Sequence, residues 1–317
     1  MKMQPKQSSL KRTSPKMTRR IEARGRLCKM LNSEALSRTS FYNALALKSS
    51  LPLHNQAWRE QVAQWCYDVV DHLDLNRDIV FVAMNILDRF VATTSQTRMD
   101  KSEYERSAIT SLFMATRISD SRSLKLTELL HLSESSLLPR DIITTAKIIL
   151  QSLSWDHQIV TPRSFVIGFL GLLPSYVNRR AAMSWLESAF FLVELAVCDG
   201  NFSHVPASHI AYAAILVAMK RSQAFAVDEV TFGRFVTTML QDTGISFRSA
   251  ELESLCVRLQ NSYCQSQESR NINGPNVVEE EDEEKEFEEL PTTSDTVNTS
   301  QTTMPRPISP IPDHERR

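Results

Sequence analysis

The chain has 317 residues, 42% of them apolar and 23% charged, with a formal net charge of −1 and only seven glycines. That length holds two domains of ordinary size plus tails, and the composition is that of a soluble protein. So few glycines disfavour sheet-rich folds built on tight turns and all nucleotide-loop architectures.

The five cysteines, Cys28, Cys66, Cys198, Cys256 and Cys264, are scattered and form no CxxC. They read as plain buried thiols in a reducing compartment. No uninterrupted apolar stretch reaches the length that spans a bilayer, and the first residues are basic, unlike a signal peptide. A soluble intracellular protein that engages no membrane is expected.

The net charge hides a polarity along the chain. Residues 1–40 carry eleven lysines and arginines against Glu22 and Glu34, and residues 279–289 read EEEDEEKEFEE. Neither end buries enough apolar surface to offset its chain entropy, so both are expected to be disordered, leaving a globular part from about Ser40 to Gln265. The basic arm suits nuclear import or loose nucleic-acid contact, or is a solvated tail. Within it Arg24, Leu27 and Asn32 fit RxxLxxxxN, a pattern that ubiquitin ligases use for mitotic destruction. The same stretch can form an amphipathic helix through Leu27, Met30 and Leu31.

Trp58, Val62, Trp65, Cys66, Val69 and Leu73 recur at three- and four-residue spacing and predict an amphipathic helix over Gln56–His72. Ile79–Val91 is apolar on nearly every face and must lie under other helices. Its closing pair, Asp88 and Arg89, therefore needs partners. Glu103–Arg117 mixes Ser107, Ala108, Ser111 and Ala115 with Leu112, Phe113 and Met114, which suits a central rod that neighbours approach closely. Leu124–Leu132 is a short helix, and Pro139 opens another that runs to Leu153. That makes five helices and no convincing strand.

A second group of five follows. Thr161 is a natural N-cap with Pro162 at the first helical position, and a helix continues over Phe165–Leu173. Arg179–Cys198 is long and apolar. Pro206 opens the alanine-rich Ala207–Lys220, and Glu229–Leu240 and Phe247–Tyr263 complete the set. The third helix of each group is rich in small residues, so the chain reads as a duplicated five-helix unit.

Trp58-Arg-Glu-Gln-Val-Ala-Gln-Trp65, Leu87-Asp-Arg-Phe-Val91 and Ser111-Leu-Phe-Met-Ala-Thr-Arg117 fall in the order and spacing of the cyclin box. Leu153-Ser-Trp-Asp156 with Val160-Thr-Pro-Arg-Ser-Phe165 resembles the junction between the two boxes of a D-type cyclin. Asp199-Gly-Asn-Phe202 with Pro206 resembles that family's second box. The resemblance covers about residues 40–263. It implies an all-α protein: a basic disordered arm (1–40), an N-terminal cyclin box (41–158), a C-terminal cyclin box (159–265) and an acidic, PEST-like disordered tail (266–317).

The resemblance further implies a non-catalytic regulatory subunit that binds and activates or directs a cyclin-dependent protein kinase in cell-cycle control, in nucleus and cytoplasm. It pairs Arg59 with Asp88 as a structural ion pair. It places Arg117, Ala146, Leu150 and Trp155 on the kinase-binding face, where Arg117 stands for the family's lysine and Ala146 for its glutamate. The loss of that glutamate removes a charged contact with the kinase. The family's substrate-docking patch falls on Trp58, Gln61, Val62 and Trp65, where Gln61 replaces an apolar floor residue and weakens docking of standard RxL-type peptides. No LxCxE motif is present.

The tail composition over Glu286–Pro305 is linked with rapid turnover, and Ser309 and Ser14, each before a proline, are candidate phosphosites. Ubiquitin ligase machinery is a further expected partner; direct nucleic-acid binding is not. No P-loop, dinucleotide motif or HExxH is present, and the seven histidines show no metal-ligand spacing, so no cofactor or metal is expected. Two other functions share this fold: a transcription module like the general transcription factor B family, and a scaffold that binds a kinase without strongly activating it.

Overall fold

The computed structural model describes residues 15–45, 53–93, 99–119, 124–133, 136–154, 159–222 and 225–273. Among these residues the regular structure is all helical: eleven α-helices, one 3-10 turn and no strand. The first five-helix group is α2 (Leu53–His72), α3 (Asp78–Thr93), α4 (Lys101–Ser119), α5 (Leu126–Leu132) and α6 (Pro139–Ser152). The second is α7 (Pro162–Leu170), α8 (Arg179–Cys198), α9 (Ala207–Arg221), α10 (Glu229–Thr243) and α11 (Ala250–Asn273). A helix α1 (Pro15–Leu45) precedes both.

Each group closes around its third helix. In the first, Tyr104, Ala108, Ile109, Leu112 and Ala115 of α4 are buried, with α3 and α6 packed against them. Two hydroxyls on this rod are satisfied locally: Ser107 Oγ donates to the Glu103 carbonyl and Thr110 Oγ1 to the Arg106 carbonyl, each at 2.7 Å, whereas the buried Ser111 Oγ has no partner among the described residues. Such bonds to the carbonyl one turn back let a helix carry small polar residues inside a core. In the second group, Ala211, Tyr212, Ala213, Ala214 and Ile215 of α9 are fully buried beneath α7, α8 and α11. The two cores are distinct clusters, and Phe81 packs against both.

Local signals set several helix ends. Thr161 Oγ1 accepts the Ser164 N–H at 3.2 Å with Pro162 at the first helical position of α7. Asp228 caps α10 by accepting from Thr231 N at 2.8 Å. Gly244 ends α10 at φ +73°, a backbone that glycine adopts without a Cβ clash.

Two expectations are corrected. Residues 15–40 of the basic arm, expected to be disordered, belong to α1, which packs on α7 and α10 of the second group and on α3 of the first. The reason is that charge averaged over the arm masks a stripe: Leu27, Met30 and Leu31 face the second core while Arg24, Arg26 and Lys29 stay outside. Residues 266–273, assigned to the tail, continue α11. Helix α8, although interrupted by Glu187 and Glu194, is long and apolar enough by length and composition to cross a membrane, which a search for uninterrupted apolar stretches passes over. Its Trp185, Ala189, Leu192 and Ala196 are instead buried in the second core.

Candidate functional site

Arg59 on α2 is buried, with its side chain 5% exposed beside Asp88 on α3 at 11%. Its Nε donates to Asp88 Oδ1 at 2.9 Å and Oδ2 at 3.2 Å, and its Nη2 to Oδ2 at 3.0 Å. The remaining arm, Nη1, donates to the Val197 carbonyl at 2.9 Å. Val197 lies in the last turn of α8, where carbonyls lack helical partners and the helix dipole favours a cation. Burial opposes the guanidinium charge, but the charge and hydrogen bonds of Asp88 outweigh it and raise the Arg59 pKa. One arginine thus ties α2 to α3 and the first box to the second. Gly200 allows the close approach: a Cβ there would stand 3.2 Å from Gln56 Cγ and 3.7 Å from Arg59 Cδ.

A second tie between the boxes was not read from the sequence. Thr161 Oγ1 donates to Asp78 Oδ2 at 2.7 Å. Glu194 on α8 holds Arg77 Nη1 at 3.1 Å and Arg163 Nη1 at 3.7 Å on its two oxygens. Arg77 also lies over the Tyr67 ring and Arg163 over the Phe190 ring. Burial pushes both the Glu194 and Asp78 carboxyls upward, against the pull of the arginines and of Thr161. The available signal was Glu194 itself, an acid in the middle of an apolar helix.

The expected docking residues divide by depth. Val62 is fully buried, Trp65 is 2% exposed, Trp58 is half-buried with its ring 5.8 Å from that of Tyr104, and Gln61 is exposed. Only the Trp58 and Gln61 part of the stripe reaches solvent; Val62 and Trp65 belong to the first core.

Of the residues expected on the kinase face, Arg117, Ala146 and Leu150 lie on α4 and α6, which pack on each other. Arg117 is exposed, donates from Nη2 to the Leu124 carbonyl at 3.3 Å and lies over the Phe113 ring. Ala146 and Leu150 on α6 are half-buried against the first core, and Trp155 lies outside the described residues. Exposed Ile118, Leu138, Ile143 and Ile148 lie on the same elements, with Arg140 and Lys147. The sole acid of α6, Asp141, accepts from Leu138 N at 2.9 Å and so caps its own helix. This surface is apolar and cationic.

Arg24, Leu27 and Asn32 lie on α1. Leu27 is 1% exposed, Arg24 pairs with Asp242 at 2.8 Å, and Asn32 Nδ2 lies 3.8 Å from Cys28 Sγ. The structure therefore holds these three as part of a docked helix. Ser14 and Ser309 lie outside the described residues. No cluster of three or more metal-ligating side chains occurs among the described residues.

Two five-helix units, each wound on a small-residue rod and bolted together by a buried arginine, define the class: a tandem cyclin fold. Residues 26–158 match the model of the cyclin N-terminal domain. The G1/S-specific cyclin-D1 of Danio rerio is 25% identical over 232 residues, 71% of this chain and 76% of that protein. The Xenopus laevis G1/S-specific cyclin-D1 is 26% identical over 234 residues, 71% of this chain and 77% of that one. The solved viral cyclin of herpesvirus saimiri aligns with a TM-score of 0.56 at 14% identity, over 74% of this chain and 97% of its own, and shares the fold. Residues 26–158 thus match the cyclin N-terminal domain, and the chain is similar to D-type members of the cyclin family. Members of that family are regulatory, non-catalytic subunits.

Proposed function

We propose that this chain binds a cyclin-dependent serine/threonine kinase and directs it in cell-cycle control. The observation that carries the reading is the α4–α6 surface: exposed Arg117 near the end of α4, with exposed isoleucines on α4 and α6, on a cyclin fold similar to proteins named for the G1/S transition. A cation there can hold carbonyl oxygens of a partner helix while the apolar residues pack against it. Affinity purification of the full chain from growing cells with mass spectrometry, followed by a kinase assay on the complex, tests it. A co-purifying kinase whose activity falls with Arg117→Ala and Leu150→Arg is the expected result; recovery of no kinase overturns it.

One observation favours a variant of this reading. With Ala146 in place of an acid and Asp141 committed to its own cap, α6 offers no free carboxylate among its residues to a kinase. Binding with weak activation follows, and the same assay separates the two by the specific activity of the purified complex. We assign the chain to nucleus and cytoplasm on the basic arm, with imaging of the tagged full chain as the test. Ubiquitin ligase machinery is proposed as a second partner on the RxxLxxxxN pattern and the acidic tail.

A further inference from the structure

Two of the three residues that spell RxxLxxxxN, Arg24 and Leu27, also hold α1 in place, while Asn32 bonds Cys28 within α1 itself. Leu27 is 1% exposed in the second core, with its Cδ1 3.7 Å from where a Cβ on Gly168 would stand. Arg24 Nε lies 2.8 Å from Asp242 Oδ2 on α10. Glu34, two residues past Asn32, accepts the Ser208 N–H at 2.9 Å and the Ser208 Oγ–H at 2.6 Å. Ser208 is the second residue of α9, so this carboxylate occupies a helix N-terminus whose N–H groups lack partners.

A receptor that reads a short linear pattern must grip its side chains, and a leucine sunk in a core is out of reach. The hold on α1 is nevertheless narrow. Between residues 21 and 37, Leu27 alone is fully buried; the rest are half-buried or exposed. The short stripe of Leu27, Met30 and Leu31, the Arg24–Asp242 ion pair and the Glu34–Ser208 hydrogen bonds make a segment that can open without unfolding the boxes.

We propose that docking of α1 on the second box conceals the destruction pattern, so that a ubiquitin ligase recognises only molecules whose α1 has come away. The inference rests on reading the pattern as a ligase signal. Apparent affinity for the ligase then equals the intrinsic affinity scaled by the undocked fraction. Anything that tightens α1 prolongs the life of the chain, and anything that loosens it shortens it.

Arg24 and Asp242 form one ion pair from opposite sides of the interface, which makes a sharp test in the full chain. Asp242→Asn weakens docking and leaves the pattern intact; Arg24→Ala weakens docking and destroys the pattern. Amide hydrogen exchange over residues 24–34 measures docking, and conjugation in an extract of dividing cells measures recognition. Exchange should quicken in both variants by about two- to fivefold, the value of an exposed ion pair. Conjugation should quicken by a similar factor in Asp242→Asn and fall below wild type in Arg24→Ala. Glu34→Gln, at the other end, should behave as Asp242→Asn does. Faster conjugation in all three variants would mean general destabilisation and overturn the proposal. Unchanged conjugation in Asp242→Asn and Glu34→Gln, with Arg24→Ala slowed, would keep the signal and reject its concealment. Conjugation indifferent to all three would remove the ligase signal itself. Unchanged exchange in both Asp242→Asn and Glu34→Gln would show that these contacts do not hold α1, which also rejects the proposal.

Discussion

Arg59 and Asp88 meet through three N–H···O contacts of 2.9–3.2 Å, and the one guanidinium nitrogen left over reaches the Val197 carbonyl in the other box. The pair thus fixes both the inside of the first box and its seating on the second. Asp88→Ala leaves a buried cation with a single carbonyl, and should lower stability by about 3–5 kcal/mol. Chemical denaturation of the isolated chain measures this. The double variant Arg59→Met/Asp88→Leu should recover most of the loss, because no charge is then stranded. A double variant as unstable as Asp88→Ala would assign the loss to packing instead.

Tyr212 lies at the centre of the second core, and its hydroxyl has no hydrogen-bond partner among the described residues. Phe169 and Phe235 pack edge-on around the ring, so the ring contributes and the oxygen does not. Tyr212→Phe should be neutral or stabilising by about 1 kcal/mol. Urea midpoints for the two proteins decide it, and a loss of stability would point to a partner for the hydroxyl.

Gly168 sits inside α7, where a new Cβ would meet only the Leu27 methyl, at an ordinary 3.7 Å. Gly168→Ala should therefore stabilise by up to about 1 kcal/mol through helix propensity. Thermal melting is the readout. Leu27→Ala removes the anchor on the other side of this contact and should cost about 2–5 kcal/mol, less if α1 merely comes away.

Glu194 and Asp78 tie the boxes together as partly buried carboxylates whose pKa values are raised by burial, against opposing arginines. A carboxylate raised on folding binds its proton more tightly in the folded state. Its contribution to stability is then full below the ordinary carboxylate range, about 4, and is lost as pH rises through the folded value. Asp78→Asn keeps an oxygen for Thr161 and abolishes the titration. The stability of wild type relative to Asp78→Asn should therefore fall as pH is raised from about 4 towards neutrality. Denaturation midpoints across that range measure it, and a rising difference would reverse the assigned sign.

Restoring an acid at Ala146 tests the kinase face directly. Ala146 is half-buried beside exposed Ile143 and Lys147, so a glutamate there can reach solvent. Under the proposed function, Ala146→Glu should strengthen the kinase complex by up to about fivefold, the value of one exposed ion pair. Titration of the recovered kinase with both forms gives the ratio; weaker binding would show that the partner favours an apolar contact at this point.

Much of the architecture was legible because helices declare themselves locally. The bounds of Arg179–Cys198, the cap at Thr161 with Pro162, and the small-residue rods of α4 and α9 all rest on spacing within a few turns. Burial of Val62 and Trp65 followed from the same stripe. The arm was misread for a related reason: its basic residues dominate the composition, while the docking stripe of Leu27, Met30 and Leu31 is short.

By itself, then, the sequence determined the tandem all-helical fold and the helix faces that must be covered, since periodicity and capping act over three or four residues. Tertiary structure alone decided what covers them. Glu34 meets Ser208 across 174 residues, and Arg59 finds Val197 across 138. Those partners are a helix N-terminal N–H and a helix C-terminal carbonyl, groups that every helix owns and no side-chain pattern marks. Which of the available ends meets which charge is set by how the boxes and α1 pack.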